Sequence, residues 1–157
     1  MPHILMVCTA NICRSPVAEA LLRQKLAAHK DLADNWTVSS AGTWALVGQP
    51  PSLLSQQLLQ ARGLNISQKR AQMVTRHLLQ EADLVLCMGS RHVEALRLEF
   101  PESAPKLFLL SEMVGLHYSV ADPYGGPPEG YQAMVDEIDR LLTAGLPRLI
   151  FLARATP

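Results

Sequence analysis

Residues 3–16 read His-Ile-Leu-Met-Val-Cys-Thr-Ala-Asn-Ile-Cys-Arg-Ser-Pro, and this stretch constrains the fold more than any other in the chain. The apolar run 3–7 has the character of a strand buried on both faces, as in a parallel sheet. Ser15 and Pro16 form a helix-start signature, a capping hydroxyl followed by proline at the first helical position, so a helix is expected just after Arg14. The short connection lets its backbone amides converge on one spot, where the helix dipole also favours negative charge. Such a loop is an anion cradle. Cys8 opens it and Arg14 closes it. A thiol near a helix N-terminus and a guanidinium is favoured as thiolate, and arginine's planar fork of donors suits the oxygens of a phosphate.

The rest of the chain alternates in the same way. Val17, Ala20, Leu21, Leu22 and Leu26 make an apolar stripe at helical spacing through about residue 29. Residues 35–40 are a short β-favouring run ended by Ala41-Gly42, which delivers Ser40 and Trp44 to a loop. Ser52 can cap a helix through 61–62 with Gly63 as its stop, 65–74 is irregular, and Thr75 caps a short helix over 76–81. Residues 83–88 are the clearest buried strand; a helix over 90–99 and a strand over 106–110 follow. The glycine- and proline-rich stretch 111–128 reads as a long loop of the functional kind. A helix over 129–144 buries Tyr131, Met134, Val135, Ile138, Leu141 and Leu142. After Gly145 and Pro147 either a kinked continuation or a second helix is expected, ending near Ala153.

This order implies an α/β fold, a single domain over 1–157 with a doubly wound, four-stranded parallel sheet and helices on both faces. Ligands of such sheets bind beyond the carboxyl ends of the strands, at the point where strand order reverses. Cys8, Ser40 and the loop holding Asp122 are therefore expected on one rim.

Composition removes several classes of function. Fourteen basic and fourteen acidic residues cancel, so no nucleic-acid or anionic-membrane footprint exists. No apolar run approaches a membrane span or a signal peptide, and a cytoplasmic location is expected. Three cysteines, without metal-type spacing, argue against a disulfide scaffold or a zinc site; the five histidines form no ligand pattern and are expected to be structural or superficial. No metal or cofactor is expected.

The cysteine, five residues, arginine, then serine at the amino terminus, with Asp-Pro-Tyr at 122–124, resembles the low-molecular-weight protein tyrosine phosphatases over nearly the whole chain. The resemblance implies Cys8 as nucleophile, Arg14 as phosphate ligand and Asp122 as general acid, acting on a phosphorylated protein. It also implies that Thr9, Ala10, Asn11, Ile12 and Cys13 build the substrate loop. Ser15 can hydrogen-bond the thiolate, and Ser40 supports Asn11, for which a left-handed conformation is expected. Trp44 and Tyr124 are the ring-stacking candidates. The family often adds a histidine after the second helix, but 67–70 read Ser-Gln-Lys-Arg. Cys13 matches the second cysteine that can trap an oxidised nucleophile as a disulfide, or it is a small buried hydrophobe; Cys87 is expected in the core.

Phosphotyrosine is the expected substrate, because the family's geometry would project Ile12 toward the cleft mouth against an aromatic ring. The family's protein arginine phosphatase branch is the main alternative, as Gly125-Gly126 resemble its acid loop. An arsenate reductase lacks its cysteine pair here, and a non-catalytic phosphate-binding module would not need both Cys8 and Asp122.

Overall fold

The computed structural model describes residues 1–32 and 35–155. Strand β1 (His3–Cys8) leads into helix α1 (Arg14–Ala27), followed by β2 (Thr37–Gly42) and α2 (Leu53–Gln60). Then come α3 (Arg76–Glu81), β3 (Leu84–Cys87), α4 (Ser90–Glu99), β4 (Leu107–Leu109) and α5 (Pro128–Ala155). Two 3₁₀ segments, Pro101–Lys106 and Leu110–Val114, flank β4.

All pairings are parallel and the sheet order is β2-β1-β3-β4, so the chain reverses its direction of progress between β1 and β3. Alternation within each strand separates two apolar layers. Ile4, Met6, Cys8, Leu84 and Leu86 face α1 and α5 through Val17, Leu21, Leu22, Val135 and Ile138. Leu5, Val7, Val85, Cys87, Leu107 and Leu109 face α3 and α4 through Leu79, Val93, Leu96 and Phe100. The sheet is thereby covered on both faces, as the alternating sequence implies.

Several boundaries differ from expectation. The first helix begins at Arg14, with Cys13 at the N-cap and no capping side chain, so Ser15 lies inside the first turn and Pro16 one position further in. Ser15 is drawn inward by other partners, described below. β2 runs two residues past its expected end because it pairs with β1 as far as Cys8 against Gly42; Ser40 is therefore inside the strand, opposite Met6. Ser52 does stand before α2, but its hydroxyl turns to Cys13 instead of capping. The expected loop 111–128 opens with part of a 3₁₀ helix that ends at Gly115, whose φ of 78° needs glycine.

The tail is one helix, α5, continuous through Pro147 to Ala155. Gly145 is there for proximity: a Cβ on it would stand 2.5 Å from that of Met113 in the second 3₁₀ segment. The glycine that reads as a helix interruption thus allows the helix to lie close against its neighbour.

Candidate active site

The loop between β1 and α1 is shaped by what its carbonyls bind. Thr43, Trp44 and Leu46 donate their N–H groups to the carbonyls of Cys8, Thr9 and Ala10 at 3.0, 2.9 and 3.1 Å. Ser52 N–H donates to the Ile12 carbonyl at 2.8 Å. Because a peptide's N–H points opposite its C=O, tying these carbonyls to the surrounding chain turns the amides of residues 9, 10, 11 and 13 the other way. Turned that way they can donate to an anion held at Cys8, where the N-terminus of the 14-residue α1 adds its dipole.

Beneath the loop lies a buried polar network. Asn11 adopts φ 60°, the left-handed conformation expected for it. Its Nδ2 donates to Ser15 Oγ at 2.7 Å and to Ser40 Oγ at 3.0 Å, while its Oδ1 accepts the Gln72 N–H at 3.0 Å. Gln72 also donates from Nε2 to the Ser40 carbonyl at 2.9 Å. The backbone of Gln72 therefore supports Asn11 where the resemblance suggested a histidine. Since Ser15 Oγ already accepts from Asn11, its own proton is available to Cys8 Sγ, 3.0 Å away.

Arg14 is buried. Its Nη1 donates to the Val120 carbonyl at 2.9 Å, Nη2 lies 3.6 Å from Asp122 Oδ2, and buried Nε has no hydrogen-bond partner among the described residues. A guanidinium with an unsatisfied inward donor is suited to an arriving oxyanion. Asp122 is half-exposed, and its Oδ1 accepts the Tyr124 N–H at 3.1 Å, which fixes the carboxyl over Pro123. Gly126 N–H closes a turn on the Pro123 carbonyl at 2.9 Å, and Gly125 occupies its third position at φ 76°. A turn of that type requires glycine there.

These elements enclose a cleft of about 280 Å³ lined by Cys8, Thr9, Ala10, Cys13, Arg14, Trp44, Leu46, Asp122 and Tyr124. Trp44 and Tyr124 stand largely exposed at its mouth. Cys13 Sγ meets Ser52 Oγ at 2.9 Å and the Tyr131 hydroxyl at 3.5 Å, and burial pushes its thiol up from the ordinary range. The three cysteines are free; Cys87 is fully buried, and burial raises it strongly.

Four residues expected to bind substrate do not line the cleft: Asn11, Ser15 and Ser40 lie in the buried network beneath the loop, and Ile12 is elsewhere. Ile12 is buried in the core under α1 and does not line the cleft, because an apolar branched side chain gains more from that core than from the loop's wet face. Three residues were not singled out: Leu46, Gln72 and His92. His92 follows the carboxyl end of β3, so the strand-end rule that selects Cys8 could have found it. It is buried, accepts Gly89 N–H at Nδ1 (3.0 Å) and lies 2.8 Å from Thr9 Oγ1 through Nε2. Burial and the Arg14 cation, partly offset by Asp122, hold its pKa down to about 4. Among the described residues no cluster of His, Cys, Asp and Glu could hold a metal ion, and no helix is long and apolar enough to cross a membrane.

The doubly wound sheet, with a loop of outward-tied carbonyls around a thiol at its switch point and an arginine and an aspartate beside it, defines an α/β protein with a candidate oxyanion site. A family described as low molecular weight phosphotyrosine protein phosphatase matches residues 3–149, and the chain belongs to that family of phosphoric monoester hydrolases. It is 36% identical over 93% of its length to a probable low molecular weight protein-tyrosine-phosphatase EpsP of Ralstonia nicotianae, covering 94% of that protein. It is 38% identical over 90% of its length to a protein-arginine-phosphatase of Geobacillus stearothermophilus, covering 93% of it. A solved structure described as YwlE arginine phosphatase, a cysteine-to-serine mutant with a phosphorylated active site serine, superposes with a TM-score of 0.87 at 32% identity over 99% of both chains.

Proposed function

We propose that this chain is a cytoplasmic, cysteine-dependent protein phosphatase that hydrolyses phosphotyrosine. Cys8 sulfur attacks phosphorus in line, the bond from phosphorus to the tyrosyl oxygen breaks, and Asp122 gives its proton to the departing phenolate. Arg14 and the loop amides hold the remaining phosphoryl oxygens as charge redistributes. Water then attacks the phosphocysteine, Asp122 takes the water's proton, and the sulfur–phosphorus bond breaks to release phosphate. Ser15 donates its hydrogen bond to the leaving sulfur. Support for the covalent step comes from the 3.0 Å contact of Ser15 Oγ with Cys8 Sγ and from the phosphorylated serine described in the similar structure.

The observation that carries the substrate class is the apolar mouth: Trp44, Leu46 and Tyr124 offer ring and methyl surface, and Asp122 is the one carboxylate lining the cleft among the described residues. A phenyl ring suits those walls. Ile12, buried and outside the cleft lining, is given no part in the choice. Phosphoarginine is the second reading, because a half-exposed Asp122 carboxylate at the mouth can pair with a guanidinium. Gly125 supports neither reading, since the turn itself requires it. The deciding experiment is competition between phosphotyrosyl and phosphoarginyl peptides of one sequence for the purified protein. A higher kcat/KM for the arginyl peptide would overturn the first reading in favour of the second.

A further inference from the structure

A second hollow of about 580 Å³ adjoins the cleft, sharing Thr9, Arg14, Trp44 and Asp122 with it and extending past Arg91 and His92 at the start of α4. Thr9 stands between the two. It is exposed, and its hydroxyl lies 2.8 Å from His92 Nε2. The direction of that bond follows from the other ring nitrogen. Nδ1 accepts the Gly89 N–H at 3.0 Å, so it carries no proton, and the neutral ring must carry its hydrogen on Nε2. Burial and Arg14 keep the ring neutral at ordinary pH. His92 therefore donates to Thr9 Oγ1, and Thr9 keeps its own hydroxyl proton for a different acceptor. Because His92 lines the hollow and not the cleft, the bond anchors the Thr9 hydroxyl on the hollow's side.

Two side chains offer donors to the hollow, the Thr9 hydroxyl and exposed Arg91, which forms no ion pair among the described residues; Ser90 N–H is already taken by Ser119 Oγ at 3.0 Å. Asp122, its one carboxylate among those residues, already faces Arg14. A ligand that fits must supply acceptors: main-chain carbonyls and carboxylates.

We propose that this hollow is the subsite for the polypeptide flanking the phosphorylated residue. The Thr9 hydroxyl, oriented by His92, donates to a peptide carbonyl, and Arg91 favours an acidic side chain. The proposal rests on the phosphatase reading above, which supplies the residue held in the cleft. His92 acts here as a positioning residue, since it touches substrate only through Thr9.

The test compares kcat/KM for phosphotyrosyl peptides with kcat/KM for p-nitrophenyl phosphate, which carries no main-chain carbonyl and no flanking side chain. Thr9→Val should lower the peptide-to-aryl ratio about 3- to 10-fold, the range of one net hydrogen bond. His92→Asn, which retains an acceptor near Gly89 but no donor to Thr9, should lower it similarly, and His92→Gln, which restores a donor at the Nε2 position, should recover most of it. In the Thr9→Val background, His92→Asn should cost nothing further in the ratio, because the shared bond is already gone. Arg91→Glu, at an exposed position where folding is not at stake, should reverse a preference for glutamate-rich over alanine flanks. Unchanged ratios in Thr9→Val and Arg91→Glu, with p-nitrophenyl phosphate still turned over, would overturn the subsite alone. A wild-type protein inert toward both substrates would remove the phosphatase reading and the subsite together.

Discussion

Gly42, the last residue of β2, lies so close to Thr9 that a Cβ on it would collide with the Thr9 carbonyl oxygen and stand 3.1 Å from the Asn11 amide nitrogen. The second strand is thus a wall against which the anion loop is pressed. Gly42 is pinned in turn, donating its N–H to the Gln72 carbonyl and accepting from Val74 N–H, both at 2.9 Å. Neither side has room to retreat. Gly42→Ala should cost about 1–3 kcal/mol through overpacking, and it should weaken inhibition by inorganic phosphate because Thr9 and Asn11 carry the amides. Denaturant unfolding and a phosphate inhibition constant measure the two effects. A variant matching wild type in both would mean that the loop does not depend on this approach.

Cys8→Ser should abolish turnover while leaving vanadate or phosphate binding measurable, since the amides, Arg14 and the Asn11 network remain. Arg14→Ala should lose both, because it removes the guanidinium that faces Asp122 and the buried donor that has no partner among the described residues. Calorimetric titration with vanadate separates binding from turnover. Appreciable p-nitrophenyl phosphate hydrolysis by Cys8→Ser would exclude the phosphocysteine.

Asp122→Asn should slow an aryl phosphate with a poor leaving group by roughly 10²- to 10⁴-fold, the range for a positioned general acid. The loss should shrink steadily as the leaving phenol becomes more acidic and needs its proton less. A series of substituted phenyl phosphates gives the slope. A loss independent of the phenol would place Asp122 in loop architecture, through its bond from Tyr124 N–H, and not in proton transfer.

Strand and helix order was legible because each element is signalled locally: two-sided apolar runs for β1 and β3, an apolar stripe for α1, turn residues between. The site residues that are named by spacing, Cys8, Arg14 and Asp122, also converge as expected. What was not legible depends on distant partners. Ser15 reads as a cap, yet Asn11 and Cys8 offer it better bonds than the helix end does. Gly145 reads as a helix stop until Met113 is placed against it. Gln72 holds Asn11 by its backbone N–H, a group every residue but proline possesses, so no residue type could have marked it.

Ile12 serves the core and not the cleft wall. Its side chain is buried with the α1 core, so Ile12→Thr loses apolar burial and places a hydroxyl among hydrocarbons. A cost of about 1–3 kcal/mol in unfolding free energy is expected. The ratio of phosphotyrosine to phosphoarginine hydrolysis should stay unchanged, since no part of the side chain lines the cleft. A shifted ratio with unchanged stability would return Ile12 to the mouth of the site.

His92 should make the fold acid-sensitive, and the sign follows from its two environments. In the folded chain, burial first and Arg14 second hold the ring's pKa down to about 4, from 6.5 in the unfolded chain. Between those values the unfolded chain binds a proton that the folded one refuses, so unfolding is favoured as pH falls. The stability contribution is complete above about pH 6.5 and is lost progressively toward pH 4, a change on the order of 3 kcal/mol. Carboxylates also titrate at the acid end, and His3, likewise lowered mainly by burial, adds a loss in the same direction. Both are common to wild type and His92→Gln, so the difference between the two proteins isolates His92. Denaturant unfolding at about pH 7 and about pH 4.5 should show wild type losing more stability than His92→Gln. Equal losses would mean that the ring titrates alike in both states, and with that the fixed direction of its bond to Thr9 would be lost.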